Sequence, residues 1–216
     1  LAKERPRWEF RDANKLSWVG KSALWQLVNA NEYLESLDLM GNDVGPGAEG
    51  PEYAVDCTGL VRLFSACPEL QHVGLGFNQL GKFSPKLTSK WTKTLSSNHS
   101  ITSLDLQSNN LGADGVKAVA SALLACAMLR ILDLSYNQPG GRPDNLVQLV
   151  REHRALTSLS VVEKDDKHLP SKAKTMLGEA MLKNSARQVG ARPRVHAPTR
   201  GAPSAAHDAP HPISGA

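Results

Sequence analysis

The sequence predicts an α/β solenoid: a curved stack of about five to six strand–helix units, parallel strands on the concave side and helices on the convex side. Three observations lead there. A pattern of apolar-x-x-apolar-x-Leu-x-x-Asn-x-x-Gly recurs without gaps as LESLDLMGNDVG from Leu34, LQHVGLGFNQLG from Leu70, ITSLDLQSNNLG from Ile101 and LRILDLSYNQPG from Leu129. Within a copy the apolar residues alternate, then change to helical spacing. Neither piece is large enough to bury its apolar side alone, so neighbouring copies must stack.

Taken in chain order, the first unit is degenerate. SALWQLVNAN reads as its outer helix, and a strand is expected near RWEF. Asn14 and Leu16 align with Asn109 and Leu111, because Leu16 to Leu34 and Leu111 to Leu129 are both 18 residues. The second unit carries an insertion between Val44 and Leu60, GPGAEGPEYAVDCTG, whose glycines and prolines predict a rim loop over 45–59. In the fourth unit SLDLQ places Leu104 and Leu106 on one side of a strand and Ser103, Asp105 and Gln107 on the other. Val116, Val119, Ala120 and Leu123 then fall at i, i+3, i+4 and i+7, one apolar stripe of a helix. A fifth copy, LTSLSVVEK from Leu156, keeps the apolar positions and loses the asparagine. SKAKTMLGEAMLKNS supplies a last helix, with Ala173, Met176, Leu177, Ala180 and Met181 inward. The repeat domain is thus expected over 1–185. Residues 186–216, rich in Ala, Pro, Gly and His, lack the apolar surface to offset the entropy of ordering and are expected as a disordered tail.

Starts separated by 36, 31, 28 and 27 residues, with the quoted motif, resemble the leucine-rich repeat of ribonuclease-inhibitor-like type. The resemblance covers roughly residues 14–184. It implies a horseshoe-shaped fragment that binds other proteins, and the wider group includes activators of small GTPases, innate-immune sensors and actin-associated scaffolds. A GTPase-activating or immune-sensor-like regulator is the alternative to a plain interaction module. Asn42, Asn78, Asn109 and Asn137 have a physical reason of their own. Where the chain leaves the strand and turns inward, a carboxamide offers donors and an acceptor to backbone groups that no ladder serves.

Composition bounds the function. No apolar run is long enough to span a bilayer. The sequence opens on Leu1 without an apolar run behind it, so no leader peptide is expected, and the chain is compatible with being a piece of a longer one. Three cysteines, none in a CxxC pair, suit a reducing, cytoplasmic setting. Of the net charge of +4, residues 186–216 hold +3 (four arginines against Asp208), leaving about +1 for the rest. That tail has no aromatic residue for base stacking, so nucleic acid is not an expected partner.

Motifs that resemble chemistry are better explained by the repeat. Gly76, Gly81 and Lys82 have the GxxxxGK spacing of a phosphate loop, yet Phe83 follows where Ser or Thr would hold a metal, and both glycines sit in repeat positions. Gly45, Gly47 and Gly50 match GxGxxG, but Pro46 and Pro51 remove two amide donors. Asn98-His99-Ser100 is a glycosylation sequon at a helix end, where a cap is expected instead. No histidine has a nucleophile at motif spacing, and Cys57, Cys67 and Cys126 read as small packing residues. No catalysis, metal or cofactor is expected. What remains is the outward strand face: Asp38, Met40, His72, Asp105, Gln107, Ile131 and Asp133, with Ser135 also outward and Phe77 and Tyr136 flanking. Asp38, Asp105 and Asp133 form an acidic column that favours a basic protein partner of a monomeric solenoid.

Overall fold

The computed structural model describes residues 7–10, 18–46, 57–141, 143–165 and 168–190. Strands β1 (Arg7–Glu9), β2 (Ser36–Asp38), β3 (His72–Gly74), β4 (Ser103–Asp105), β5 (Ile131–Asp133) and β6 (Ser158–Ser160) form one parallel sheet in sequence order. Helices α1 (Trp18–Asn29), α2 (Thr58–Ala66), α3 (Pro85–Ser96), α4 (Gly112–Leu123), α5 (Asp144–Glu152) and α6 (Ser171–Gly190) alternate with them. Each strand pairs only with its sequence neighbours, so the sheet is an open ladder of rungs.

The leucine positions fall into columns. Trp8, Leu37, Val73, Leu104, Leu132 and Leu159 are in register across the six strands. Leu34, Leu70, Ile101, Leu129 and Leu156 make a second buried column, and Leu39, Leu75, Leu106 and Leu134 a third. The helices close the core from outside. Val116, Val119, Ala120 and Leu123 of α4 are buried, as their spacing predicts. On α3, which starts at Pro85 behind the capping Ser84, Trp91 is fully buried against Phe64 with ring centroids 6.3 Å apart.

Both ends are rungs. RWE pairs in parallel with β2, so the degenerate strand is present. The alignment of Asn14 and Leu16 lies outside the described residues. At the far end Ala173, Leu177 and Ala180 are buried, with Met176 and Met181 partly so. Helix α6 runs to Gly190, beyond the expected domain end at 185, and 191–216 lie outside the described residues. Likewise α2 begins at Thr58, inside the expected 45–59 loop, of which 47–56 are not described. Among the described residues no helix is long and apolar enough to cross a membrane.

Beyond the strands, the asparagines replace the sheet's hydrogen bonds. Asn109 Oδ1 accepts from the amides of Asn78 (3.0 Å) and Leu80 (3.2 Å), while its Nδ2 donates to the carbonyls of Leu75 (2.7 Å) and Leu106 (2.9 Å). Asn78 serves Asn42 and Val44 in the same way, and Asn137 serves Asn109 and Leu111. All four asparagines are fully buried. The turn has a price in conformation: the residue on each side of the asparagine is left-handed, Phe77 (φ 57°) and Gln79 (56°), or Tyr136 (59°) and Gln138 (57°). In the unit that lacks the asparagine, Glu163 takes over, its Oε1 accepting from the amides of Asn137 (2.8 Å) and Gln138 (2.9 Å).

A second ladder joins the helix ends. Cys67 Sγ donates to Val28 O (3.6 Å), Asn98 Nδ2 to Phe64 O (3.1 Å), and Cys126 Sγ to Leu95 O (3.2 Å). Each of these residues stands three before the first leucine or isoleucine of the next rung. His153 holds the same place. Its Nδ1 accepts from Leu156 N (3.2 Å), which leaves Nε2–H to donate to Cys126 O (2.9 Å). Asn184 closes the series on His153 O and Leu156 O. The sequon asparagine is therefore a buried structural group. Burial pushes the Cys126 thiol up to about 11 and Cys67 in the same direction, which leaves both unreactive.

The phosphate-loop spacing also finds its explanation. Gly81 N donates to Asn109 O (2.9 Å), and a Cβ on Gly81 would lie 1.7 Å from Asn110 O. Glycine is there because two rungs touch backbone to backbone. Lys82 points away, exposed.

Candidate protein-binding face

Parallel register turns the outward residues of each strand into rows. Arg7, Ser36, His72, Ser103, Ile131 and Ser158 form one row; Glu9, Asp38, Gly74, Asp105, Asp133 and Ser160 form the next. Asp38, Asp105 and Asp133 do share a row, with Gly74 in the gap, and Glu9 extends it. Sequence reading passed over Glu9 because its rung is irregular, although Trp8 at the inward position was a usable signal.

Each aspartate has a structural task as well. Asp38 Oδ1 accepts from Met40 N (3.0 Å), Asp105 Oδ1 from Gln107 N (2.9 Å), and Asp133 Oδ1 from Ser135 N (2.8 Å). Asp105 Oδ2 also accepts from Gln107 Nε2 (3.0 Å). Burial raises the Asp105 carboxyl above the ordinary range, and the charges of Asp133 and Asp38 add to this, against the opposing pull of the Gln107 hydrogen bonds. A carboxyl raised on folding binds its proton more tightly in the native state, so its ionisation lowers stability as pH rises through that window. A cationic partner would remove that cost.

Beyond His72, rung β3 has glycine at its next two outward positions, Gly74 and Gly76, and its neighbours lean over them. A Cβ on Gly74 would meet Asp38 Oδ1 at 2.7 Å; one on Gly76 would meet Gln107 Cγ at 3.0 Å and Met40 Cε at 3.4 Å. Asp38, Met40 and Gln107 thus converge on β3 and are half-buried. His72 stays exposed beside them. Ser135 departs from expectation. It is buried, because the strand ends at Asp133 and the following turn points its Oγ at Val162 N (3.2 Å) rather than at solvent.

The exit edge carries exposed apolar surface. Phe77 is 51% exposed and Tyr136 39%, with Phe10 and Val162 exposed further along, while Ile131, 49% exposed, stands at the entry end of β5. Phe77 and Tyr136 occupy the left-handed position that Gly41 and Ser108 fill in other rungs. A side chain there costs about 1–2 kcal/mol relative to glycine. A hollow of about 170 Å³ between the starts of α4 and α5, lined by Asp114, Lys117, Pro139 and Asn145 among others, is remote from this face and includes no nucleophile–base pair.

The family model described as "Leucine Rich repeat" matches residues 30–47, 97–120 and 125–138, the segments that carry β2, β4 and β5. Among solved structures, that of leiomodin-1 actin-binding site 2 is similar with a TM-score of 0.56 at 18% identity, covering 77% of this chain and 90% of that one. The leucine-rich-repeat-containing protein LegL7 from Legionella pneumophila gives a TM-score of 0.50 at 21% identity, over 74% of this chain and 49% of LegL7. The chain carries leucine-rich repeats over the segments that the family model matches. Rung β3, with its two outward glycines, lies outside the family-model match to the repeat protein. No curated protein matches the chain significantly.

Proposed function

We propose that this chain is an interaction module with no chemistry of its own, which binds a basic protein partner through its concave strand face. The observation that carries the reading is the pair Phe77 and Tyr136. Both hold bulky aromatic side chains in a left-handed backbone and in solvent, where glycine or serine suffices in sister rungs. Exposed aromatics of this kind anchor protein interfaces. Between them the Asp105–Asp133 pair offers adjacent carboxylates to a lysine or arginine, and Asp38, Met40, His72, Gln107 and Ile131 line the rest. Three buried cysteines, none of them in a disulfide, suit a reducing compartment. The solved leiomodin-1 fragment is titled an actin-binding site, so actin is a first named partner to try.

The test is affinity capture from lysate, with actin pelleting in parallel, comparing the native chain with Asp105→Lys/Tyr136→Ala. A discrete partner retained by the native chain and reduced more than about tenfold by the double variant is expected, since each anchor contributes on the order of 1–2 kcal/mol. The same partners at the same yield from both proteins would overturn the assignment.

A further inference from the structure

Three consecutive rungs make the same turn with different side chains. Phe77, Ser108 and Tyr136 hold one repeat position on the rungs of β3, β4 and β5, all left-handed at φ 57°, 53° and 59°. Backbone hydrogen bonds run on through them, from Phe77 N to Gln107 O (2.9 Å), Ser108 N to Ser135 O (2.8 Å) and Tyr136 N to Val162 O (2.7 Å). Matching backbone on bonded rungs aims the three Cα–Cβ bonds the same way, each about 4.8 Å from the next. Two exposed rings therefore flank a half-buried serine, their Cα atoms about 9–10 Å apart. The long polar side chains beside this row already have partners outside it. Gln107 Nε2 donates to Asp105 Oδ2 (3.0 Å), Gln79 Nε2 to Asp43 Oδ1, and Gln138 Nε2 to Asn110 Oδ1 (2.8 Å).

We propose that the gap over Ser108 is a subsite for one leucine of the protein partner, held between the Phe77 and Tyr136 rings, with a lysine or arginine of the same extended segment on Asp105 and Asp133. This rests on the concave-face reading above and names the partner segment that the face takes. Width decides the apolar residue. Carbon atoms meet at about 3.5–4 Å, so a flat ring stacked between two others spans only about 7–8 Å and leaves one wall out of contact. A branched aliphatic side chain is thicker and reaches both. Ser108 keeps the gap open, because a large residue there would join the two rings into one continuous edge. Charge decides the neighbours of that leucine. Asp105 and Asp133 are register partners, each three residues before Ser108 or Tyr136 on the same rung. In an extended segment lying along the strands, side chains return to one face every second residue, about 7 Å on, and a lysine stem spans the remainder.

The test titrates a defined peptide, acetyl-Lys-Ser-Leu-Ser-Lys-amide, into the nitrogen-15-labelled chain and follows the amide chemical shifts. Saturable shifts centred on Phe77, Ser108 and Tyr136 are expected. Affinity should fall more than about tenfold when the peptide leucine becomes serine, and by a similar factor in Ser108→Trp, which fills the gap. Tyr136→Gly removes one wall while suiting the left-handed backbone, so it should lose the peptide with its fold intact, as the rest of the spectrum will show. Leu182→Ser, at an exposed apolar position on α6, should bind the peptide unchanged, which excludes general apolar adhesion. No saturable shifts, indifference to the leucine, equal or tighter binding of a phenylalanine peptide, or full affinity in Ser108→Trp would overturn the subsite. Capture of a partner lost in Asp105→Lys/Tyr136→Ala but kept by Ser108→Trp would sink the subsite alone and leave the concave-face reading standing. Capture unaffected by both would sink the two together.

Discussion

Asn109→Ala is expected to lower stability by about 3–4 kcal/mol, far more than a surface substitution and in a residue that touches no ligand. Two amides in the preceding unit, Asn78 N and Leu80 N, lose their acceptor, and the carbonyls of Leu75 and Leu106 lose a donor. None can turn to water, since the site is fully buried. Each buried polar group left without a partner costs about 1–3 kcal/mol, and partial relaxation keeps the sum below the simple total. Because the asparagine bonds to the rung before it as well as its own, cooperativity between rungs should suffer too. Urea unfolding followed by far-UV circular dichroism measures this. The adjacent Asn110→Ala, exposed and left-handed, is the control and should change stability by less than about 1 kcal/mol. Equal effects at the two positions would show that the carboxamides do not hold the turns.

Gly81→Ala should cost about 3 kcal/mol or more, although it adds a single methyl group and removes no hydrogen-bonding atom. The added carbon would sit 1.7 Å from Asn110 O and 2.4 Å from Asn110 C. Those are backbone atoms in the next rung, so no side chain can swing aside. The rungs must separate locally, which strains the Gly81 N to Asn109 O bond and opens the leucine columns beneath. Gly178→Ala is the useful comparison, because nothing lies within 4 Å of its added carbon and it is in a helix, where alanine is favoured. Thermal unfolding of the two variants should move in opposite directions. A Gly81→Ala protein as stable as the native chain would return the glycine to some other role.

These two residues also show what the sequence disclosed. The asparagines and the motif glycine recur at fixed spacing because one physical task, satisfying or clearing backbone between rungs, admits one residue type. The leucine columns were legible for the same reason. The helix-end ladder was not, because Cys67, Asn98, Cys126 and His153 perform one task with three chemistries, and no pattern of residue type records it. Glu163 was hidden differently: its longer side chain reaches the Asn137 and Gln138 amides from one position earlier than an asparagine would. Ser135 is buried where alternation puts it outward, because alternation does not extend two residues beyond the end of a three-residue strand. As for the face, the acidic row followed from register, whereas the cost carried by Phe77 and Tyr136 is a backbone property that composition does not reveal.

The central claim is that the repeats exist to present the strand face and its aromatic edge to another protein. A photo-crosslinking amino acid placed at Tyr136 tests it most directly, with the same group at Leu182, 74% exposed on α6, as the control. The account predicts a discrete crosslinked species in lysate from position 136 and none from 182. A partner caught at 182 and never at 136 would contradict it.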